Sequence, residues 1–260
     1  MSIYIKETGN IHSNTLFMFI HGGGVSGWMW DKQVDYYSEY HCLIPDLPAQ
    51  GLSQCCSPFT IKRSAHLLLD ILKEKGKSKR IVVVGFSLGA QVLVQMLSMN
   101  PNLIDYAMIN SALTRPMPYS ASMIKPLIHL SFPLIKIKTF SRLQAQTLYI
   151  GKEQFPLYYK ESIEMKKETL IQVLVENMTF CLPPQFSEAN SNILVTVGEK
   201  ERTIMKKSAK DLIASNKQCN GLIIRNIGHG FSFTNPTMFN QLIDDWLANK
   251  SPLNQQYILR

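Results

Sequence analysis

Short apolar runs alternate with stretches of helical spacing along most of this chain of 260 residues. The runs at residues 16–20 and 81–84 contain no polar residue, which is typical of strands buried on both faces of a sheet. Other apolar runs predict strands at residues 1–6, 41–45, 104–109, 193–197 and 222–224. Apolar positions three and four residues apart predict helices at residues 30–38, 60–75, 90–97, 204–214 and 238–249. Strands that alternate with helices pair in parallel through right-handed crossovers, so the pattern predicts an α/β fold with a doubly wound, mostly parallel sheet.

The alternation of strands and helices stops between residues 113 and 187. Prolines at seven positions divide this stretch into short helical pieces: Pro116, Pro118, Pro126, Pro133, Pro156, Pro183 and Pro184. Because ligands bind at the carboxyl ends of parallel strands, a segment inserted after such a strand would lie over the site. We therefore expect a core made of residues 1–112 and 188–260, and a helical lid at residues 113–187.

The predicted lid is largely apolar, and the simplest role for its apolar residues is to pack the lid onto the core. Some of them could instead line a pocket for the acyl group of an apolar carboxylic ester. These residues are Met117, Met123, Leu127, Ile128, Leu130, Phe132, Leu134, Ile135, Phe140, Phe155, Leu157 and Phe180. Lys125, Lys136, Lys138 and Arg142 accompany the apolar run, which leaves open a lipid-like substrate at an interface.

The composition is ordinary for a globular enzyme, with 45% hydrophobic and 18% charged residues. The five cysteines are odd in number, and their spacing fits neither a disulfide framework nor a zinc site, so we expect a reducing, cytoplasmic location. Residues 1–6 do not resemble a signal peptide, and no apolar run is as long as a bilayer-spanning helix. We therefore expect no stable membrane insertion.

The net charge of the chain is +8, and a basic cluster lies between residues 73 and 80. The cluster consists of Lys73, Lys75, Lys77, Lys79 and Arg80. A solvated loop is the simplest interpretation, because the sequence contains no recognisable nucleic-acid-binding module. We expect no nucleic-acid partner.

The pattern G-x-S-x-G occurs at residues 85–89, between a predicted strand and a predicted helix. Glycines on both flanks permit the sharp strand-to-helix turn that exposes a serine hydroxyl above the sheet edge. Ser87 is therefore the candidate nucleophile, and the amide of Leu88 would point toward the group that the serine attacks. The alternative is a tight turn with an inert surface serine.

A nucleophilic serine requires a general base, and the base requires an acid that orients it. Of the six histidines, only His229 follows a late predicted strand in a glycine-flanked loop, so it is the candidate base. Glu201 follows the predicted strand at residues 193–197 and is the candidate acid, with Glu199 and Asp211 as alternatives. It stays open whether His229 is a structural loop histidine and the glutamates are merely solvated.

A third component of the predicted site would stabilise an oxyanion. The sequence His-Gly-Gly-Gly at residues 21–24 follows the first buried strand, and its glycines let backbone N–H groups approach a developing negative charge. The amide of Gly23 would pair with that of Leu88, with Gly24 as the alternative to Gly23. His21 is expected to brace the loop. A phosphate-binding loop is disfavoured because the Gly-Lys-Ser/Thr that should follow is missing.

The chain order of these candidates, Ser87, Glu201 and His229, is the order of the triad in α/β-hydrolases. The sequence resembles the lid-bearing α/β-hydrolase fold superfamily, in its esterase and small-hydrolase branch, over nearly its whole length. The motifs that carry this resemblance are HGGG at residues 21–24, PDLPAQGLS at 45–53, GFSLG at 85–89, GEKE at 198–201 and GHGFSF at 228–233.

Two positions depart from the usual pattern of that superfamily. The family usually has aspartate where Glu201 stands, so a longer side chain must be accommodated. The family's loop usually reads D-L-P-G-H-G-x-S, and Ala49 and Gln50 replace the Gly-His pair here. That loop is expected to shape the wall of the site and to take no part in the chemistry.

The candidates together predict a serine hydrolase that cleaves a carboxylic ester of a small apolar substrate through an acyl-enzyme intermediate, without a metal or cofactor. The same triad could instead act on C–C, amide or thioester bonds, or in perhydrolysis. A non-catalytic ligand receptor on this fold is a more distant alternative. The expected partner is a small, ester-like molecule. The sequence leaves open the natural substrate, the acyl-chain preference and the oligomeric state.

Overall fold

A mixed sheet of eight strands forms the centre of the part of the chain that the computed structural model describes, residues 3–250 and 256–259. The strands are β1 (Ile5–Gly9), β2 (Thr15–Ile20), β3 (His41–Pro45), β4 (Arg80–Phe86), β5 (Tyr106–Asn110), β6 (Asn192–Gly198), β7 (Cys219–Ile224) and β8 (Gln256–Leu259). Their order across the sheet is β1-β3-β2-β4-β5-β6-β7-β8. Strands β2 to β7 pair in parallel, whereas β1 and β8 pair antiparallel at the two edges. The predicted mostly parallel sheet is confirmed.

Strand β2 illustrates why this sheet is buried on both faces. All of its residues are buried, and successive side chains of a strand point to opposite faces. Leu16, Met18 and Ile20 belong to one hydrophobic core. Phe17 and Phe19 belong to a second core on the other face. The strand is therefore clamped between two apolar layers, which holds its carboxyl end in a fixed position.

Helices cover both faces of the sheet. They are α1 (Asp31–Tyr36), α2 (Ile61–Lys75), α3 (Leu88–Met99), α4 (Pro118–Ser131), α5 (Lys138–Thr147), α6 (Phe155–Glu164), α7 (Lys167–Thr179), α8 (Thr203–Ser215), α9 (Phe231–Thr234) and α10 (Pro236–Leu247). Helices α2, α3 and α8 contribute to the core that contains Leu16. Helices α1 and α10 contribute to the core that contains Phe17. This is the doubly wound arrangement that the sequence predicts.

Helices α4 to α7 lie between β5 and β6, within residues 113–187, and we call this segment the insertion. Helix α4 packs against α7. On α6, the carboxylate of Glu161 accepts hydrogen bonds from Ser26 Oγ at 2.7 Å and from Trp28 Nε1 at 2.9 Å, both in the segment after β2. Gln91 Nε2 on α3 donates to the carbonyl of Asn177 on α7 at 2.9 Å. Polar contacts such as these join the insertion to the core, while its exact boundaries and its role as a lid stay predictions.

The structure differs from the sequence-based elements at three places. The short helix α9 is not predicted, and neither is β8, because an edge strand forms only through its pairing with β7. Strand β1 begins later than the predicted run at residues 1–6, and residues 1–2 lie outside the described part of the chain. None of the helices described in the structure combines the length and apolarity that crossing a bilayer requires.

Candidate active site

Ser87 stands on a strained turn between β4 and α3. Its φ angle is +53°, in the left-handed region that residues other than glycine rarely adopt. A Cβ atom at Gly85 would lie 2.6 Å from the carbonyl oxygen of Gly89, and one at Gly89 would collide with the carbonyl oxygen of Ile20. The backbone N–H of Ser87 donates to the carbonyl oxygen of Asn110, at the end of β5, at 2.9 Å. The two glycines therefore permit a turn that holds Ser87 at the carboxyl end of β4.

The structure brings the three predicted triad residues together. His229 Nε2 lies 2.9 Å from Ser87 Oγ, and His229 Nδ1 lies 2.8 Å from Glu201 Oε2. Because a carboxylate can only accept, the imidazole donates from Nδ1 to Glu201, and its Nε2 accepts the hydroxyl proton of Ser87. Ser87 follows β4, Glu201 follows β6 and His229 follows β7, so parallel strand ends supply all three side chains. This connectivity is the one that activation of a serine by a general base requires.

Glu201 is a buried carboxylate whose side chain is 2% exposed. Burial by itself raises the pKa of Glu201, but hydrogen bonding and charge from His229 outweigh it, with the help of two further donors, and the net effect is a lowered pKa. These donors are the backbone N–H of Gly198, 2.9 Å from Oε1, and the hydroxyl of Ser111, 2.7 Å from Oε1. Glu201 therefore keeps its negative charge, which holds the tautomer of His229 and would stabilise its protonated form.

The two alternative acids have other partners. Glu199 Oε2 accepts a backbone N–H from the loop after β7 at 2.9 Å. Asp211 forms a bidentate ion pair with Arg115, with N–O distances of 2.6 and 2.8 Å. Of the three carboxylates, Glu201 is the one that hydrogen-bonds His229.

Ser111 is a site residue that the sequence does not predict. It directly follows β5, is buried, and has a φ angle of +60°. Its hydroxyl donates to Glu201, so it belongs to the same hydrogen-bonded chain as His229 and Ser87. A lone serine after a strand carries no signal in the sequence. Its left-handed backbone, which is visible only in the structure, is the feature that draws attention to it.

His21 braces the glycine loop from inside the protein, where it is fully buried. The backbone N–H of Leu47 donates to His21 Nε2 at 2.8 Å. The ring proton must therefore reside on Nδ1, which donates to the carbonyl oxygen of Gly22 at 2.7 Å. Burial lowers the pKa of His21, against an opposing effect of the Asp46 carboxylate and the Gly22 carbonyl. The ring is thus a neutral structural group that fixes the loop after β2.

Gly23 lies against the turn that carries Ser87. A Cβ atom at Gly23 would lie 3.5 Å from Leu88 Cδ2. Within the described residues, neither the N–H of Gly23 nor that of Leu88 donates a hydrogen bond to the protein. The N–H of Gly24, the alternative donor, lies 3.4 Å from Gln50 Oε1. Two unengaged amides beside a nucleophile are what an oxyanion hole requires, and that role stays a prediction.

A cavity of about 330 Å³ opens at Ser87 and is also lined by Gly23 and Leu88. Apart from Gly24, its remaining walls come from the insertion, where apolar side chains predominate: Ile128, Ile135, Leu148, Met165, Leu170, Val173 and Leu174. The polar side chains of Gln144, Thr147, Tyr158, Ser162 and Asn177 complete the walls. Ligand cavities range from roughly 300 to 1,000 Å³, so this one suits a small apolar molecule. No group of three or more His, Cys, Asp or Glu side chains among residues 3–250 and 256–259 is placed to hold a metal ion.

Sequence comparison points to one superfamily for this geometry. A family model described as the alpha/beta hydrolase fold matches residues 15–133, which include the glycine loop and the turn at Ser87. A protein of the AB hydrolase superfamily from Gibberella zeae is 32% identical over 89 residues, which are 34% of this chain and 32% of that protein's length. Residues 15–133 of this chain therefore match the α/β-hydrolase family, and the chain has the α/β-hydrolase fold. The aligned region spans about a third of the Gibberella zeae protein.

Solved structures share the α/β-hydrolase fold with this chain over almost its whole length. MenH from S. aureus superimposes with a TM-score of 0.75 at 18% identity, over 96% of this chain and 99% of that one. A thermophilic esterase from Thermogutta terrifontis has a TM-score of 0.76 at 17% identity, over 95% and 93%. A bromoperoxidase from Bacillus anthracis has a TM-score of 0.77 at 16% identity, over 95% of each chain. At these identities the likeness shows the fold alone.

The role of Ser111 in this protein can be tested with two variants, Ser111→Ala and Ser111→Gly. Both variants remove the hydroxyl group that donates a hydrogen bond to Glu201. Only glycine adopts the left-handed backbone without strain, so the glycine variant should be more stable than the alanine variant by about 1 kcal/mol. Covalent labelling of Ser87 by a fluorophosphonate should slow by about 10- to 100-fold in both, because a hydrogen bond to a charged group is lost. Urea unfolding and labelling time courses measure the two effects. If Ser111→Gly is both more stable than Ser111→Ala and labelled as fast as the wild type, the role of the Ser111 hydroxyl is merely structural.

Acidification should destabilise this protein through His21. The folded state keeps the ring neutral because burial lowers its pKa, whereas the unfolded chain takes up a proton near pH 6.5, about the ordinary imidazole value. The unfolded state then binds more protons, so the free energy of unfolding falls as the pH drops below about 6.5 and is unaffected above it. Urea unfolding at several pH values should show this loss in the wild type and in His12→Gln, an exposed control, and a shallower one in His21→Gln. Parallel pH profiles for wild type and His21→Gln contradict the prediction.

Proposed function

We propose that this chain is a serine hydrolase that cleaves a carboxylic ester of a small apolar substrate through an acyl-enzyme intermediate. The observation that carries the proposal is the 2.9 Å contact between His229 Nε2 and Ser87 Oγ, with Glu201 on the opposite nitrogen of the ring. A serine hydroxyl is a weak nucleophile at neutral pH. His229 can remove its proton as it attacks, while Glu201 orients the imidazole ring. The presence of an esterase from Thermogutta terrifontis among proteins of the same fold agrees with the proposal.

In the acylation step, Ser87 Oγ attacks the carbonyl carbon of the ester while His229 Nε2 takes the hydroxyl proton. The carbonyl oxygen becomes an oxyanion, which the amides of Gly23 and Leu88 stabilise by hydrogen bonding. The carboxylate of Glu201 stabilises the imidazolium that His229 has become. When the tetrahedral intermediate collapses, His229 gives its proton to the departing alkoxide, and an alcohol leaves. The acyl group then remains on Ser87.

In the deacylation step, a water molecule takes the place of the alcohol. His229 Nε2 accepts a proton from this water as its oxygen attacks the acyl carbon. The same amides of Gly23 and Leu88 stabilise the second oxyanion. The carboxylic acid departs as the proton returns from His229 to Ser87 Oγ, so the enzyme is regenerated and one ester bond has been hydrolysed.

The insertion is the proposed lid and supplies the proposed acyl pocket. Apart from Leu88, the apolar side chains that line the 330 Å³ cavity belong to the insertion, and Ser87 lies beside Gly23 and Leu88 in the core wall. An acyl chain bound there would have its carbonyl carbon beside the nucleophile and its apolar tail among Leu170, Val173 and their neighbours. The cavity is near the lower limit of ligand-binding cavities, which favours short over long acyl chains.

Replacement of the nucleophile is the direct test of this function. Ser87→Ala should lower the turnover of p-nitrophenyl butyrate by about 10⁴- to 10⁶-fold, because the members of a triad act as a unit. It should also abolish labelling by a fluorophosphonate. Ser187→Ala, at an exposed serine far along the chain, is the matched control and should keep both properties. Undiminished hydrolysis by Ser87→Ala would refute the mechanism, and a folded wild type that neither labels nor hydrolyses esters would favour a ligand receptor.

Filling the cavity should change the preference for acyl-chain length. Leu174→Trp places a larger side chain in the wall of the cavity, so kcat/KM for p-nitrophenyl octanoate should fall by about tenfold or more relative to that for the acetate. Val175→Phe changes the neighbouring residue of the same helix, which does not line the cavity, and should leave the ratio unchanged. Steady-state rates across a series of p-nitrophenyl esters measure the ratio. An equal loss for both esters in Leu174→Trp would argue against an acyl pocket at this place.

A further inference from the structure

Helix α4 and the turn after it carry an apolar stripe that faces solvent. The stripe, which we call the α4 stripe, consists of Tyr119, Met123, Leu127, Leu130 and Leu134. These residues are between 40% and 89% exposed. Their spacing of three and four residues places them along one side of the helix. Solvent-facing apolar surface of this extent and regularity is typical of an interaction site.

Other residues of α4 anchor this helix within the insertion. Ala121 and Ile124 on the same helix are buried. Ile128 lines the cavity above Ser87, and α7 packs against α4. The helix is therefore already anchored through its other side, and the stripe remains available for a further contact.

The segment that carries the stripe is strongly and uniformly basic. Residues 106–152 contain six of the 27 Lys and Arg residues and none of the 19 Asp and Glu residues. The rest of the chain therefore has 21 basic and 19 acidic residues, so this one segment accounts for most of the net charge of +8. Lys125, Lys136, Lys138 and Arg142 are exposed. None of these four side chains forms an ion pair with a described residue.

We propose that the α4 stripe docks this protein peripherally on an anionic lipid surface. Apolar side chains along one side of a helix, accompanied by lysine and arginine and without acidic residues, are what binding in the plane of such a surface requires. The stripe would enter the interface between headgroups and acyl chains, and Lys136, Lys138 and Arg142, which follow α4, would contact anionic headgroups. A second copy of this chain is a poor occupant, because pairing two such surfaces would bring their like charges together. The inference depends on this surface and not on the proposed hydrolase chemistry.

Co-sedimentation of the full chain with lipid vesicles tests the proposal. The protein should bind vesicles of phosphatidylcholine mixed with phosphatidylglycerol, should bind phosphatidylcholine vesicles much more weakly, and should be released by high salt. Lys136→Gln/Lys138→Gln should weaken binding to the mixed vesicles by about 25-fold, from about fivefold for each cation removed. Leu127→Ser/Leu130→Ser should weaken binding at any salt concentration, because it removes apolar contact area.

Variants at another surface of the protein are the control. Ile11→Ser/Lys77→Gln removes one exposed apolar side chain and one exposed cation, both outside residues 106–152. This variant should bind the mixed vesicles as the wild type does. Thermal unfolding checks that all the variants are folded. The proposal is overturned if the wild type ignores the mixed vesicles, or if the control pair weakens binding as much as the stripe pair. It is also overturned if the vesicle-free protein is a dimer that Leu127→Ser/Leu130→Ser dissociates, since a second copy would then cover the stripe.

Discussion

The geometry of the candidate site is built around one strained backbone position, Ser87. A non-glycine residue with a φ angle of +53° persists only where its surroundings hold it in place. Strand β4 is hydrogen-bonded to β2 on one side and to β5 on the other, and the N–H of Ser87 is bound to the carbonyl of Asn110. Because the neighbouring strands are parallel, the loops after β2, β6 and β7 reach the same edge of the sheet. The glycine loop, Glu201 and His229 therefore arrive at a point that the turn has already defined.

A second constraint is the need to keep a charge on a buried carboxylate. Glu201 would lose its charge in an apolar environment, so three donors must surround it. The glutamate also has to accommodate a side chain longer than the usual aspartate, and it does so by turning back so that Oε1 accepts the N–H of Gly198, three residues earlier. Ser111 completes the set from a left-handed backbone. The two strained serines, Ser87 and Ser111, thus follow the adjacent strands β4 and β5 and join the same hydrogen-bonded chain, which concentrates strain where chemistry is proposed.

Features that depend on the local sequence pattern were predictable, whereas features that depend on residues far apart in the chain were not. The fold class and the chain positions of strands β2 to β7 were predictable because long apolar runs and helical spacing are local properties of the sequence. The proximity of Ser87, Glu201 and His229 was predictable because parallel strand ends share one edge. Strand β8 was not, since it depends on a partner strand more than thirty residues earlier. The anchoring of Glu161 by the segment after β2 joins residues 135 positions apart, and no local pattern indicates such a contact.

The sequence-based interpretation of the insertion was only partly right on helix α4, for a related reason. Apolar residues there were expected mainly to pack the lid onto the core, but Met123, Leu127 and Leu130 are exposed, whereas Ile124 is buried and Ile128 lines the cavity. A helix with apolar residues on both sides has no single polar face, so its periodicity cannot tell which side meets the core. A helix of that kind is normally covered all round. The inner side of α4 is covered by α7 and the cavity wall, and the outer side is left to a contact that the chain alone does not provide.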